Sequence, residues 1–191
     1  MEKNRRKEIV EMKVTETPFE GLFIIEPSVF EDDRGYFFES WNRKRFQEFG
    51  LNADFVQDNQ SMSSANVLRG LHFQVPPWEQ GKLVRVLQGL VLDVVVDLRK
   101  NEPTFGKHFS LVMSGRQKNM LWIPPGFAHG FLTLEDNTVF FYKCTRFYHR
   151  ESDTGIAWND PDLGIDWGID NPVVSQKDHK AMRFRDFNSP F

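Results

Sequence analysis

The feature that most constrains this chain is its punctuation. Between residues 19 and 145, short runs of apolar, β-branched and aromatic residues are broken repeatedly by glycine, proline and acidic turn residues. The runs are expected to be strands at 19–26, 36–40, 67–74, 82–88, 90–98, 107–113, 119–123, 130–134 and 138–145. Gly81, Gly89, Gly106, Gly115, Pro124-Pro125-Gly126 and Glu135-Asp136-Asn137 supply the breaks. Regular short strands with turn signals specify an all-β sandwich, jelly roll or barrel. One helix is expected, with Asn42 as N-cap, Phe46 and Phe49 on one face, and Gly50 closing its end. Beyond residue 150 the pattern fades into turn signals, Trp158-Asn159-Asp160-Pro161 and Asn171-Pro172. The last forty residues are therefore expected to pack as loops and short helices, a C-terminal flank on the β domain. The first residues show neither alternation nor an apolar stripe. Residues 1–13 are expected to form a poorly ordered extension, and 14–191 a single domain.

Charge and cysteine content narrow the functional classes. Twenty-four basic residues against 27 acidic ones leave a net charge of −3, without the basic excess of a nucleic-acid-binding face. The most apolar stretch, 83–98, is interrupted by Arg85, Gln88, Asp93 and Asp97, so it is not a membrane span. Cys144 is the only cysteine and cannot form an internal disulfide, which fits a reducing, cytoplasmic setting. Aromatics make up 14% of the chain, 19 of them phenylalanine. Most belong to sheets and core, although aromatics also line pockets for flat ligands.

Three clusters place polar groups where a plain β core would not hold them. The first joins Gln57-Asp58-Asn59-Gln60-Ser61 to the strand 67–74, in which strict alternation sets Leu68, Gly70, His72 and Gln74 on one face and Val67, Arg69, Leu71 and Phe73 on the other. The second is the Pro/Gly turn that delivers His129 beside Phe127 and Phe131. The third is Tyr142 in the apolar run around Phe140-Phe141, where a buried hydroxyl needs a partner. A strand histidine and a core tyrosine each have an ordinary structural reading. Taken with Lys82 they would form a proton-transfer set: histidine as base beside a carbonyl, lysine stabilising the enolate, and an acid returning the proton. A metal centre built on a His-x-His pair is not expected. The second position is Gln74, a poor transition-metal ligand, and no later carboxylate completes a set with His129. Gly-x-Ser-x-Gly, P-loop and Gly-x-Gly-x-x-Gly signatures are absent.

With these motifs in place the sequence resembles the dTDP-4-dehydrorhamnose 3,5-epimerases, metal-free cupins of sugar-nucleotide metabolism. The resemblance runs from about Val14 to Asp178. It rests on Phe30-x-x-x-Arg34-Gly35-x-Phe37-x-Glu39, Gln57-Asp58-Asn59-x-Ser61, Leu68-Arg69-Gly70-Leu71-His72-x-Gln74, Gly81-Lys82-Leu83-Val84, Pro125-Gly126-Phe127-Ala128-His129-Gly130-Phe131, Trp158-Asn159-Asp160-Pro161 and Ser175-x-Lys177-Asp178. It implies a double-stranded β-helix (jelly-roll) homodimer that needs no cofactor and inverts C3 and C5 of dTDP-4-dehydro-6-deoxy-D-glucose. By the same resemblance His72 is the base, Asp178 its carboxylate partner, Lys82 the group facing the C4 oxygen, and Tyr142 the proton donor. Arg34, Glu39, Gln57, Asp58, Asn59, Arg69, His129 and Lys177 fall where the family holds dTDP and sugar, with Tyr148 stacked on thymine. Asp153 stands where relatives carry Glu, and Phe147 where some carry a second tyrosine. A mono-epimerase acting at C3 or C5 alone is the alternative, since the catalytic pair would be the same.

Overall fold

The computed structural model describes residues 11–191. Residues 1–10 of the expected extension lie outside the described residues. Within its remainder Met12 is buried and Lys13 opens the first strand. The strands are β1 (Lys13–Glu16), β2 (Phe23–Glu26), β3 (Phe30–Asp32), β4 (Gly35–Phe37), β5 (Gln57–Ser63), β6 (Val67–Gln74), β7 (Lys82–Gln88), β8 (Leu90–Asp97), β9 (His108–Ser114), β10 (Met120–Ile123), β11 (Phe127–Thr133), β12 (Thr138–Cys144), β13 (Asp153–Gly155) and β14 (Val173–Val174). One sheet runs β1-β2-β10-β7-β12-β5. The other runs β13-β6-β11-β8-β9, with β14 lying parallel along β6. Strands β3 and β4 form a separate hairpin. This is the expected all-β jelly roll.

Alternation decides what lies between the sheets. Val84, Val86, Leu121, Ile123 and Phe140 of the first sheet meet Val91, Val95, Met113, Phe127 and Phe131 of the second. Each such side chain contributes about 1.5–3 kcal/mol by leaving water. The second sheet is covered on its far side too, which explains the near-continuous apolar run of β8. Val94 and Val96 face outward from the first core yet stay buried beneath Ile156, Leu163 and Trp167 of the C-terminal flank. Asp160 pins that flank: its Oδ1 accepts the Asp162 N–H at 2.9 Å and its Oδ2 the Phe184 N–H at 2.7 Å.

The expected helix is α1 (Arg43–Glu48), and its caps are those the residues predict. Asn42 accepts the Arg45 N–H, while Gly50, at φ +81°, closes the end through Gly50 N–H to Gln47 carbonyl and Leu51 N–H to Phe46 carbonyl bonds. The expected face is only half correct. Phe46 is buried against Trp41, whereas Phe49 is exposed, because six residues present a single buried row to the outer side of the first sheet.

Candidate active site

The two sheets splay at one end around a cleft of about 550 Å³. Its wall contains Asn59, Arg69, His72, Lys82, His129, Tyr142, Lys177 and Asp178, eight of the residues named from sequence. Phe131 and Phe140, stacked with centroids 4.0 Å apart, form an apolar base beneath them.

A register shift creates the arrangement on β6. His129 pairs with His72 but Phe131 pairs with Arg69, so two residues of β6, Gly70 and Leu71, oppose the single Gly130 of β11. Alternation is broken, and the expected face assignment of this strand does not hold. Arg69 and His72 both enter the cleft, while Leu68, Leu71 and Phe73 are buried on the flank side. Gly70 permits the crossing at φ +127°; a Cβ there would stand 2.5 Å from Gly130 Cα and 2.7 Å from the His129 carbonyl oxygen. On the same edge of β6, β13 pairs with residues 72–74 and β14 with 67–68, leaving the Gly70 N–H between them.

Into that gap comes Asp178. Val173 and Val174 run along β6, Ser175 caps the short helix α2 (Gln176–His179) by accepting the Asp178 N–H at 3.1 Å, and the Asp178 carboxylate turns back to the strand. Its Oδ1 lies 2.5 Å from His72 Nε2, and its Oδ2 accepts the Gly70 N–H at 3.4 Å. Burial opposes ionisation of Asp178, but the bonds from His72, Ser175 and Gly70 prevail and hold it below the usual carboxylate range. A carboxylate only accepts, so Nε2 carries the ring proton and His72 Nδ1 is the basic nitrogen.

Opposite stand Lys82 and Tyr142, on the paired strands β7 and β12, with Lys82 Nζ 5.9 Å from the Tyr142 ring centroid. Burial lowers the Lys82 pKa despite the nearby Cys144, Asp153 and Asp93. Burial also pushes the Tyr142 hydroxyl up to about 12, so it is protonated throughout the neutral range. Arg69 spans the cleft, its Nε and Nη2 donating to Ser63 of β5 at 3.2 and 3.1 Å. A second histidine–carboxylate pair lies deeper: His129 Nε2 is 2.8 Å from Asp93 Oδ2, and both residues are buried. Asp93 was legible only as an interruption in an apolar run. Asp93 Oδ1 is buried without a hydrogen-bond partner.

Other expected residues stand elsewhere. Asp58 alternates to the far side of β5 and pairs with Lys143 at 2.8 Å. Gln57 faces inward, but its amide binds the Tyr148 N–H and Asn59. Arg34 is on the β3–β4 turn, paired with Asp32, and Glu39 holds Arg45 and Asn42. Neither reaches the cleft of its own chain. Tyr148 lies at the rim, donating to Asp153 at 3.1 Å, and Asp153 also binds Lys177. Among the described residues, no three His, Cys, Asp or Glu side chains gather as a metal-ligand set, and no helix is long and apolar enough to cross a membrane.

Fold and cleft together define a jelly-roll protein that sets a histidine–carboxylate pair against a lysine and a tyrosine. The family model for dTDP-4-dehydrorhamnose 3,5-epimerase matches residues 16–186. The Escherichia coli dTDP-4-dehydrorhamnose 3,5-epimerase is 51% identical over 173 residues, 90% of this chain and 94% of that protein. The crystal structure of the Elizabethkingia anophelis enzyme of that name superposes with a TM-score of 0.88 at 50% identity, covering 93% of this chain and 98% of that one. That of the Legionella pneumophila dTDP-6-deoxy-D-glucose-3,5-epimerase, in complex with dTDP-4-keto-L-rhamnose, gives 0.89 at 46% identity over 93% and 95%. The chain belongs to the dTDP-4-dehydrorhamnose 3,5-epimerase family.

Proposed function

We propose that the protein is an isomerase that inverts C3 and C5 of dTDP-4-dehydro-6-deoxy-D-glucose to give dTDP-4-dehydro-L-rhamnose, the step that precedes reduction to dTDP-L-rhamnose. The observation that carries this reading is the cleft in which the His72–Asp178 pair faces Lys82 and Tyr142, in a chain of this family. Both carbons flank the C4 ketone, so removing either proton sends its electron pair onto the C4 oxygen as an enolate. His72 Nδ1 takes the proton, and Asp178 stabilises the imidazolium that forms. The Lys82 cation faces the enolate oxygen, where a preorganised charge in a partly dry cleft is most effective. Tyr142 returns a proton to the opposite face of the carbon. Exchange with water then resets the imidazolium and phenolate before the second inversion, and no redox cofactor enters the balance.

Arg69 and Lys177 suit the diphosphate, Arg69 through a fork that donates paired hydrogen bonds. Asn59 and His129 line the sugar end, and Tyr148, tied to Asp153, receives the thymine. Arg34 and Glu39 require a second copy of the chain. Phe30, Tyr36 and Phe37 of their hairpin are 48%, 58% and 67% exposed, an apolar surface that a homodimer would cover while carrying Arg34 and Glu39 to the neighbouring cleft. The substrate class and the single unpaired cysteine fit work in the cytoplasm. An assay coupled to the reductase that consumes the product tests the reading. Steady NADPH oxidation from dTDP-4-dehydro-6-deoxy-D-glucose is expected, with 6-deoxy-L-mannose recovered after hydrolysis. Recovery of a sugar inverted at one carbon would contradict the double epimerase.

A further inference from the structure

The segment 145–152 between β12 and β13 carries Tyr148 to the mouth of the cleft. Phe147 and Tyr148 are both more than half exposed, and loops of that kind are ordinarily mobile. Here successive peptide groups are bound by side-chain amides from two directions. Gln57 Oε1, on β5 of the first sheet, accepts the Tyr148 N–H at 2.8 Å. Gln74 Oε1, on β6 of the second sheet, accepts the His149 N–H at 2.8 Å. The Gln74 Nε2 group donates to the Phe147 carbonyl at 3.3 Å and to the Trp78 carbonyl at 2.6 Å. Gln74 is 4% exposed, and both ends of its amide are satisfied by backbone alone. Trp78 and His149, the residues bracketed by these bonds, stack with centroids 4.6 Å apart and planes 6° from parallel.

We propose that Gln57 and Gln74 form a two-glutamine clasp that suspends the 147–149 backbone between the two sheets and so sets the position of Tyr148 over the nucleotide. Both act as positioning residues, and the inference rests on the reading of Tyr148 as the residue that receives the base. The clasp gives Gln57 a different task from the direct substrate contact expected of it, because its oxygen is occupied by the loop and its nitrogen donates to Asn59 Oδ1 at 3.1 Å. It also gives a physical reason for glutamine at the second position of His72-x-Gln74. A histidine or carboxylate there could not both accept one backbone N–H and donate to two carbonyls.

The test combines amide hydrogen exchange with dTDP binding in the wild type and in Gln74→Glu and Gln57→Leu. Gln74→Glu keeps the side-chain shape but sets a carboxylate against two carbonyls, and Gln57→Leu removes the oxygen that accepts the Tyr148 N–H. In the wild type the Tyr148 and His149 amides should exchange well below the rate of an unstructured peptide despite their place on an exposed loop. Gln74→Glu should lose that protection and weaken dTDP binding by about tenfold or more, with kcat at saturating substrate reduced less than about threefold, the split expected when lost hydrogen bonds position only the nucleotide. Unprotected wild-type amides would overturn the clasp, as would a folded Gln74→Glu that binds dTDP like the wild type or loses kcat at unchanged affinity. If Gln74→Glu does not fold, the wild-type exchange rates and Gln57→Leu decide the matter by the same criteria. A wild type that does not bind dTDP would instead defeat the functional reading, while the clasp would still stand or fall on its amides.

Discussion

At the scale of single residues, the proposed proton transfer rests on environments that separate the acid from the cation. Tyr142, pushed up to about 12, remains a donor at any working pH. Lys82 is charged below its folded pKa, and burial brings that pKa under the ordinary lysine range. Activity should therefore fall as pH rises through the lowered Lys82 value, before Tyr142 ionises. A pH–rate profile of Lys82→Arg, whose charge does not titrate, should lose that alkaline limb; persistence of the limb would assign it to another group. Tyr142→Phe removes only the hydroxyl, so deuterium exchange into substrate should persist while inversion is impaired. Wild-type product yield from this variant, measured by NMR, would remove Tyr142 from the donor role. His72 and Tyr142 stand out in the sequence as polar groups in apolar strands, but their expected roles, and that of Lys82, come from the family resemblance. Asp93 was not recognisable, since an aspartate in such a run carries no sign of the histidine it meets 36 residues later.

At the scale of elements, β6 is where the site is made. Its bounds follow from its residues, as do those of β7, but its faces do not. The extra residue between Arg69 and His72 is a property of its pairing with β11, and single-strand alternation contains no information about a neighbour's register. Strand β5 was hidden for a different reason: Gln57-Asp58-Asn59-Gln60-Ser61 has no apolar alternation, because its inward positions line a polar cleft instead of a core. Gly70→Ala tests the bulge. The added methyl would meet the β11 backbone at a positive φ, and a loss of about 2 kcal/mol or more is expected. Activity should drop further than stability explains, because His72 and Arg69 depend on the same crossing. Denaturant unfolding and turnover measured together check both; unchanged stability would show that the two strands separate easily at this point.

At the scale of the whole molecule, one sheet is covered by α1 and the other by the C-terminal flank, while the β3–β4 hairpin presents Phe30, Tyr36 and Phe37 to solvent. That exposed hairpin, together with Arg34 and Glu39 standing away from their own cleft, supports the proposed homodimer. Phe37→Asp should shift the light-scattering mass from two chains towards one and lower turnover with it, whereas a full-mass, fully active variant would place the hairpin outside the interface. Turn spacing made the all-β class legible but left sandwich, jelly roll and barrel open; the family resemblance implied the jelly roll and a homodimer, whereas the face such a dimer would use becomes visible only once the sheets are packed. The central claim, that one dyad serves two carbons through a shared C4 ketone, is met most directly by proton NMR of dTDP-4-dehydro-6-deoxy-D-glucose with the enzyme in deuterium oxide. Deuterium is expected at both C3 and C5, with His72→Ala slower by at least about 100-fold at each, the lower bound for a general base. Exchange at one carbon alone, or exchange that survives loss of His72 in the folded variant, would contradict the claim.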